Sequence, residues 1–291
     1  MNAGGRLLRA AGGLEAPELL GLLAAHAIPR LDIVDPAAAT VTRAVRLSSG
    51  HHAITLTVEP AGVRVTGPGL PPAEEAELDA VLRAWLDLDT DLTDVNSVLG
   101  ADPLLAPLVD ARPGLRVVGC LDPFEAAVTT VLGQQVSLAA CRTFSGRLVA
   151  AFGSDGPAGL RLFPEPQPIA ALPHEELRAA VGITNARART LAAVASAFVA
   201  ARDAERAGTR AEPRFPLTRA QLLDLPGVGP WTADYLAVRA AGDRDAFAPG
   251  DLVLRRALGG ISAAEAEDRA TAWSPYRAHA LVHLWTATAY G

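Results

Sequence analysis

The sequence predicts an α+β fold, with a small sheet-bearing domain over residues 1–98 and an all-helical region over 99–291. Three observations carry that prediction. Apolar residues alternate in "TRAVRLSS" and "HAITLTVEP", as in strands with one buried face. Beyond about residue 99 that alternation stops, and apolar positions recur at helical spacing. The helical stretches are separated by Gly/Pro breaks, with no further strand signal between them.

Taken in order, "APELLGLLAAHAI" (16–28) has helical spacing, and "EPAG" followed by "VRVTG" reads as a hairpin. "PPAEEAELDAVLRAWLDL" restores a helix with Leu78, Val81, Leu82 and Trp85 on one face. Asp122 as N-cap, Pro123 at the first helical position and Glu125 at the third form a capping-box pattern, and Gly133 ends that helix. Gln134 and Gln135 make a turn, and Ser137 caps the next helix, which stops at Gly153. After a Pro/Gly-rich loop, "HEELRAAVGI" and "ARARTLAAVASAFVAARDA" are helices, and a polar loop runs to Pro216.

The next stretch breaks the pattern. Thr218 can cap "RAQLLDL", Gly227 and Gly229 permit a tight reversal, and Pro230 suits the first position of "PWTADYLAVRAA", which ends at Gly242. The result is a helix–hairpin–helix over 218–241. Free N–H groups at Gly227, Gly229 and their neighbours suit a phosphate. A plain αα-turn accounts for the same residues when they are taken alone. Asp251 then opens "LVLRRAL", where it serves as an N-cap.

Composition sets limits. No apolar run is long enough to span a bilayer, and "MNAGGRLLRAAGG" lacks the apolar core of a signal peptide, so a cytoplasmic protein without membrane contact is expected. Cys120 and Cys141 are the only cysteines and have no metal or iron–sulfur spacing. All 26 basic residues are arginine. The net charge of −6 argues against nucleic acid, but its distribution does not. Residues 1–110 hold 7 Arg against 15 acids, and residues 111–291 hold 19 Arg against 17. A DNA contact is thus allowed for the second part. His279 and His283, four apart, lack a third ligand and read as surface or packed histidines.

Together, Leu225–Arg256, "LDPFEAAVTTVLGQQVS" and "WSPYRAHALVHLW" resemble the helix–hairpin–helix DNA glycosylase superfamily, and within it the bacterial 3-methyladenine DNA glycosylase II (AlkA-type) family. The resemblance spans almost the whole chain. It implies a sheet-bearing unit beside two helical lobes with a catalytic cleft between them. It also implies a monofunctional, monomeric base-excision repair enzyme acting in the bacterial nucleoid. Such an enzyme would flip N3- or N7-alkylated purines out of duplex DNA and hydrolyse the glycosidic bond.

By the same resemblance Asp251 is the catalytic aspartate, stabilising a sugar cation and orienting or deprotonating water. Trp231, Trp285 and Tyr235 line the base pocket, where electron-rich faces suit a flipped cationic base. Core packing is the other account of Trp285. Gln134 faces that pocket, and Gln135 takes the place of the wedge that fills the gap in the duplex. Leu22 and Leu252 stand where well-known members have aromatics. Gly227, Val228, Gly229 and Thr232 contact DNA. The carbonyls of Leu223, Leu225 and Val228 hold a monovalent cation, Na⁺ or K⁺, that bridges to a phosphate, while the chemistry itself needs no cofactor. Relatives that nick DNA carry a nucleophilic lysine at the Trp231 position. This chain has no lysine, which excludes a lysine-based lyase, and its two cysteines exclude an iron–sulfur cluster. Two other readings stay open: a glycosylase of the same build for deaminated or oxidised bases, and a non-catalytic DNA-binding protein.

Overall fold

Five strands form one antiparallel sheet in the computed structural model, which describes residues 5–207 and 214–289. They are β1 (Arg6–Arg9), β2 (Asp32–Asp35), β3 (Thr40–Leu47), β4 (Gly50–Glu59) and β5 (Gly62–Thr66), in the order β1-β5-β4-β3-β2. The alternation in the sequence locates β3 to β5, with Val41, Val45, Leu47, Ile54, Leu56 and Val58 buried. Strands β1 and β2 are edge strands of four residues, too short for alternation to declare them.

Helices α1 (Ala16–His26) and α2 (Pro72–Leu86) supply the rest of this core. Leu78, Leu82 and Trp85 of α2 are buried in it, and Val81 packs against it. Leu88 still belongs to this core, whereas Leu92 packs elsewhere, so the packing divides near residue 90 and the expected boundary at 98 falls inside a helix.

That helix, α3 (Leu92–Leu99), and α4 (Ala106–Ala111) pack with the C-terminal helices α12 (Leu252–Ala257), α13 (Ala263–Ala270) and α14 (Arg277–Ala289). Trp273, Leu99, Leu105, Leu254 and Leu281 fill this second core. The third core belongs to α5 (Pro123–Gly133), α6 (Leu138–Phe152), α7 (Pro166–Ala171), α8 (His174–Val181) and α9 (Asn185–Arg206). Phe124 and Phe198 meet edge-on at its centre, and Leu222, Val228 and Leu236 of the hairpin complete it. The molecule is therefore a sheet unit beside two helical lobes, one of them built from two separated stretches of chain.

Local signals set most helix ends as expected. Asp122, Ser137, Thr218 and Asp251 each accept a backbone N–H from the third helical residue. Two expectations need correction. The Glu125 side chain does not return to its cap but pairs with Arg43 of β3, which also bonds Asp32 at 2.8 Å, so the charge ties the sheet to a helical lobe. The helical region also contains a two-stranded ladder, β6 (Ser154–Asp155) with β7 (Arg161–Leu162), too short to leave a strand signal. Residues 208–213 of the polar loop before Pro216 lie outside the described residues.

Candidate active site

The hairpin joins α10 (Arg219–Leu223) to α11 (Pro230–Leu236). Gly227 has a φ of +78°, and a Cβ there would sit 2.2 Å from Thr190 Oγ1 on α9, so the turn requires glycine both for conformation and for space. The first intrahelical bond of α11 runs from Ala233 N to Gly229 O, at 3.2 Å. The amides of Gly229, Trp231 and Thr232 precede it, and Pro230 has none to lose. After α11 a single π-turn (Ala237–Ala241) leads to Gly242 in the left-handed region, and a loop brings the chain to Asp251.

Asp251 is buried, 8% exposed, and its carboxylate is fully engaged by neutral donors. Oδ1 accepts the Leu254 amide at 2.9 Å and the Trp285 indole N–H at 3.0 Å, and Oδ2 accepts the Trp231 indole N–H at 2.8 Å. The sequence allowed either a cap or a catalytic aspartate here; the Leu254 bond makes it a cap, and the residue also lines a cavity. Trp231 stacks on Tyr235 with ring centroids 5.3 Å apart, and Tyr235 meets Trp285 at 5.6 Å. Desolvation pushes the Tyr235 phenol above its ordinary value.

In front of this cluster lies a cavity of about 400 Å³, a size suited to a small organic ligand. Asp251, Tyr235, Trp285 and Leu22 line it, so the sheet unit contributes one wall through α1. The structure thus brings Asp251, Trp285, Tyr235 and Leu22 to the cavity, while Trp231, expected there too, holds Asp251 and stacks on Tyr235 without lining it. It does not place Leu252 with them. Leu252 is 62% exposed and opens α12 on its solvent side, while its neighbour Val253 lines the cavity. Successive helical residues point about 100° apart, so the Asp251 cap that turns Val253 inward turns Leu252 out.

Gln134 is also drawn away from the cavity. Its side-chain amide donates to Gly227 O at 3.0 Å and Thr232 Oγ1 at 2.9 Å, and its backbone carbonyl accepts from the Arg187 guanidinium at 2.5 Å. It is a strut between the α5–α6 turn and the hairpin. Gln135, next to it, is exposed and left-handed with a φ of +56°, so the turn presents its side chain outward. The Val228 and Thr232 side chains are buried, at 7% and 2% exposure, leaving only their backbones for an outside partner. The Leu225 carbonyl accepts Val228 N–H at 3.1 Å, which holds the turn and leaves its second lone pair for an ion. Oxygen donors alone, as at Leu223, Leu225 and Val228, fit a hard cation.

Among the cavity residues outside the reading of the sequence are His26, one turn beyond Leu22 on α1, and Arg239, one turn beyond Tyr235. The helical spacing that places Leu22 and Tyr235 also reaches them. His279 and His283 are packed, at 2% and 3% exposure, and desolvation pushes the His283 imidazole down to about 4. No helix among the described residues is long and apolar enough to cross a membrane.

Known proteins fit this architecture. Residues 8–122 match the AlkA N-terminal domain, and residues 128–273 match the HhH-GPD superfamily base excision DNA repair protein model. The chain is 37% identical over 92% of its length to a probable bifunctional transcriptional activator/DNA repair enzyme AlkA of Mycobacterium tuberculosis, and it spans about half (54%) of that protein's length. It is 32% identical to DNA-3-methyladenine glycosylase 2 of Escherichia coli, covering 92% of each chain. The solved 3-methyladenine DNA glycosylase of Archaeoglobus fulgidus has the same fold, with a TM-score of 0.82 and 20% identity over 98% of both chains. The chain belongs to the HhH-GPD superfamily of base excision DNA repair proteins, in its AlkA-type branch.

Proposed function

We propose that the protein is a monofunctional DNA glycosylase that releases alkylated purines, 3-methyladenine among them, from duplex DNA by hydrolysis. One observation carries this reading: a buried carboxylate, held by two indole N–H groups and a helix N-terminus, facing a cavity with aromatic walls. The relatives' names, 3-methyladenine glycosylase and DNA repair enzyme, support the same reading.

In the reaction the flipped base enters the cavity against Tyr235 and Trp285. The C1′–N bond breaks with its electron pair staying on the base. The deoxyribose gains positive charge, which the Asp251 carboxylate offsets at no cost of reorganisation, because three hydrogen bonds already fix it. The water oxygen then bonds to C1′, one of its protons stays in the new sugar hydroxyl, and the other passes by way of the Asp251 carboxylate to solvent. An N3- or N7-alkylated purine is already cationic and leaves neutral, so no general acid is required.

Outside the cavity, the hairpin amides take a phosphate, and carbonyls of Leu223, Leu225 and Val228 hold a monovalent cation that adds to this charge complementarity. Gln135 fills the gap left by the flipped base, and the enzyme works as a monomer in the cytoplasm on nucleoid DNA. The test is release of free base from methylated duplex DNA. The proposal expects 3-methyladenine in solution and an unbroken strand carrying an abasic site. Strand scission by the protein alone would refute the monofunctional route, and binding without release would favour a non-catalytic role.

A further inference from the structure

Leu252 is turned away from the base cavity, and its surroundings give that exposed position a use. It opens α12 directly after Asp251 and directly before Val253, which lines the cavity. A single exposed leucine is ordinary on a protein surface. Its neighbour on the helix makes this one different. Residues four apart share a helix face, which puts Arg256 beside Leu252, about 6 Å further along the axis. Arg256 is exposed, and its guanidinium makes no hydrogen bond or ion pair with any other described residue. Arg255, one step round the helix, instead gives its Nε–H to Ile261 O at 2.7 Å. The outer face of α12 thus carries an apolar side chain followed by an uncommitted cation.

The position of Asp251 decides what meets that face. To offset charge on the sugar, its carboxylate must stand at C1′ of the flipped nucleotide. Only the base enters the cavity, so the deoxyribose and its two flanking phosphates stay at the mouth. Leu252 stands at the mouth as well, since consecutive Cα atoms are 3.8 Å apart and its side chain points outward. A deoxyribose offers C–H surface to a leucine, and the phosphates beside it offer charge to a guanidinium. Ile33 supplies the contrast. It is also exposed, but it lies on edge strand β2, which begins and ends in aspartate and makes a poor surface for a phosphate.

We propose that the outer face of α12 is a second DNA contact, in which Leu252 packs on the deoxyribose of the flipped nucleotide and Arg256 pairs with a phosphate beside it. The proposal rests on the glycosylase reading of Asp251. The hairpin, joined to Asp251 through the Trp231 indole, takes the strand by its backbone amides. The face of α12 adds a grip made by side chains, at the nucleotide that reacts. Leu252 therefore acts on the extrahelical nucleotide more than on intact duplex, and it holds the sugar over the carboxylate.

The experiment titrates wild type, Leu252→Ser, Arg256→Gln and Ile33→Ser against a duplex carrying one reduced abasic site, at several salt concentrations. Release of 3-methyladenine from methylated duplex is followed with the same proteins. All three positions are exposed, so the variants should melt like wild type. Arg256→Gln should weaken binding and lower the slope of log K against log salt by about 0.9, the share of one phosphate. Leu252→Ser should weaken binding about three- to tenfold with the slope unchanged, and slow release below saturation by the same factor. Its effect on an undamaged duplex should be smaller. Ile33→Ser should change neither affinity nor slope. Wild-type affinity in Leu252→Ser, or a wild-type slope in Arg256→Gln, would overturn the proposal while base release by wild type leaves the glycosylase reading standing. Equal weakening by all three variants would overturn it too, as a general surface effect. Wild type that binds the duplex and releases no base would overturn the reading of Asp251, and the proposal with it.

Discussion

Among the described residues two aspartates accept an indole N–H, and their surroundings part company from there. Asp102 takes the Trp273 N–H at 2.8 Å and the Leu104 amide at 2.8 Å, and Arg269 lies 3.4 Å away. Burial opposes its charge, yet the Trp273 and backbone hydrogen bonds hold its carboxyl below the usual range. Trp273 itself is fully buried. Asp251 takes two indoles and an amide and, among the described residues, has no ion-pair partner. The first arrangement spends its charge inside the protein and holds a lobe together. The second fixes a carboxylate with neutral donors only, which leaves the charge to act on whatever enters the cavity beside it.

Truncation should separate the two most strongly. Trp273→Ala removes the largest fully buried side chain and should lower stability by about 3–5 kcal/mol in denaturant unfolding. Release per folded molecule should stay near wild type. Trp231→Phe combined with Trp285→Phe keeps both rings and deletes both N–H donors to Asp251. That pair should cut base release per folded molecule on the order of tenfold or more, and it should also lower stability, since each hydrogen bond to a charged group is worth about 1.5–3 kcal/mol. If Trp273→Ala harmed only turnover, or the double variant harmed only stability, the contrast between the regions would collapse.

Acid offers a third, gentler probe, because both regions rest on α14. Its His283 is charged in the unfolded chain below about 6.5. In the fold, desolvation first, then His279 and Arg112, push it down to about 4. A depressed histidine contributes stability above the unfolded value and loses it as pH falls through the folded one. The melting temperature should therefore drop between pH 6.5 and 4, and His283→Leu should flatten that drop. An unchanged slope would assign the acid limit to other groups. The smallest effect is expected at Gln134→Ala, which removes the strut between the α5–α6 turn and the hairpin. It should cost about 1 kcal/mol in stability and weaken DNA binding, seen by titration of a labelled duplex.

The sequence marked these regions unequally. The hairpin was legible because backbone constraints force particular residues: glycine where φ is +78°, proline at the helix start, threonine at the cap. Asp251 was legible as a cap by its position, and its indole partners came only with the fold, since Trp285 lies 34 residues away. The Asp102–Trp273 pair, 171 residues apart, left no local trace. Leu252 and Gln134 were assigned to the pocket through resemblance, but side-chain direction is set by the cap at Asp251 and by the bonds to Gly227 and Thr232. Edge strands of four residues carry too few positions to show alternation, so β1 and β2 stayed hidden. Arg239 was within reach, one turn past Tyr235, but an arginine on a helix reads as solvated until a cavity is seen beside it.

The central claim is that the Asp251 charge does the chemistry. Asn in its place still accepts the Leu254 amide and the Trp285 indole on its one oxygen and loses only the Trp231 bond, so the fold and the DNA affinity should survive. The direct measurement is single-turnover base release by Asp251→Asn beside wild type, with duplex binding followed in parallel. The account predicts binding within a few fold of wild type and release slower on the order of 10²–10³-fold. Equal release by the two proteins would contradict it.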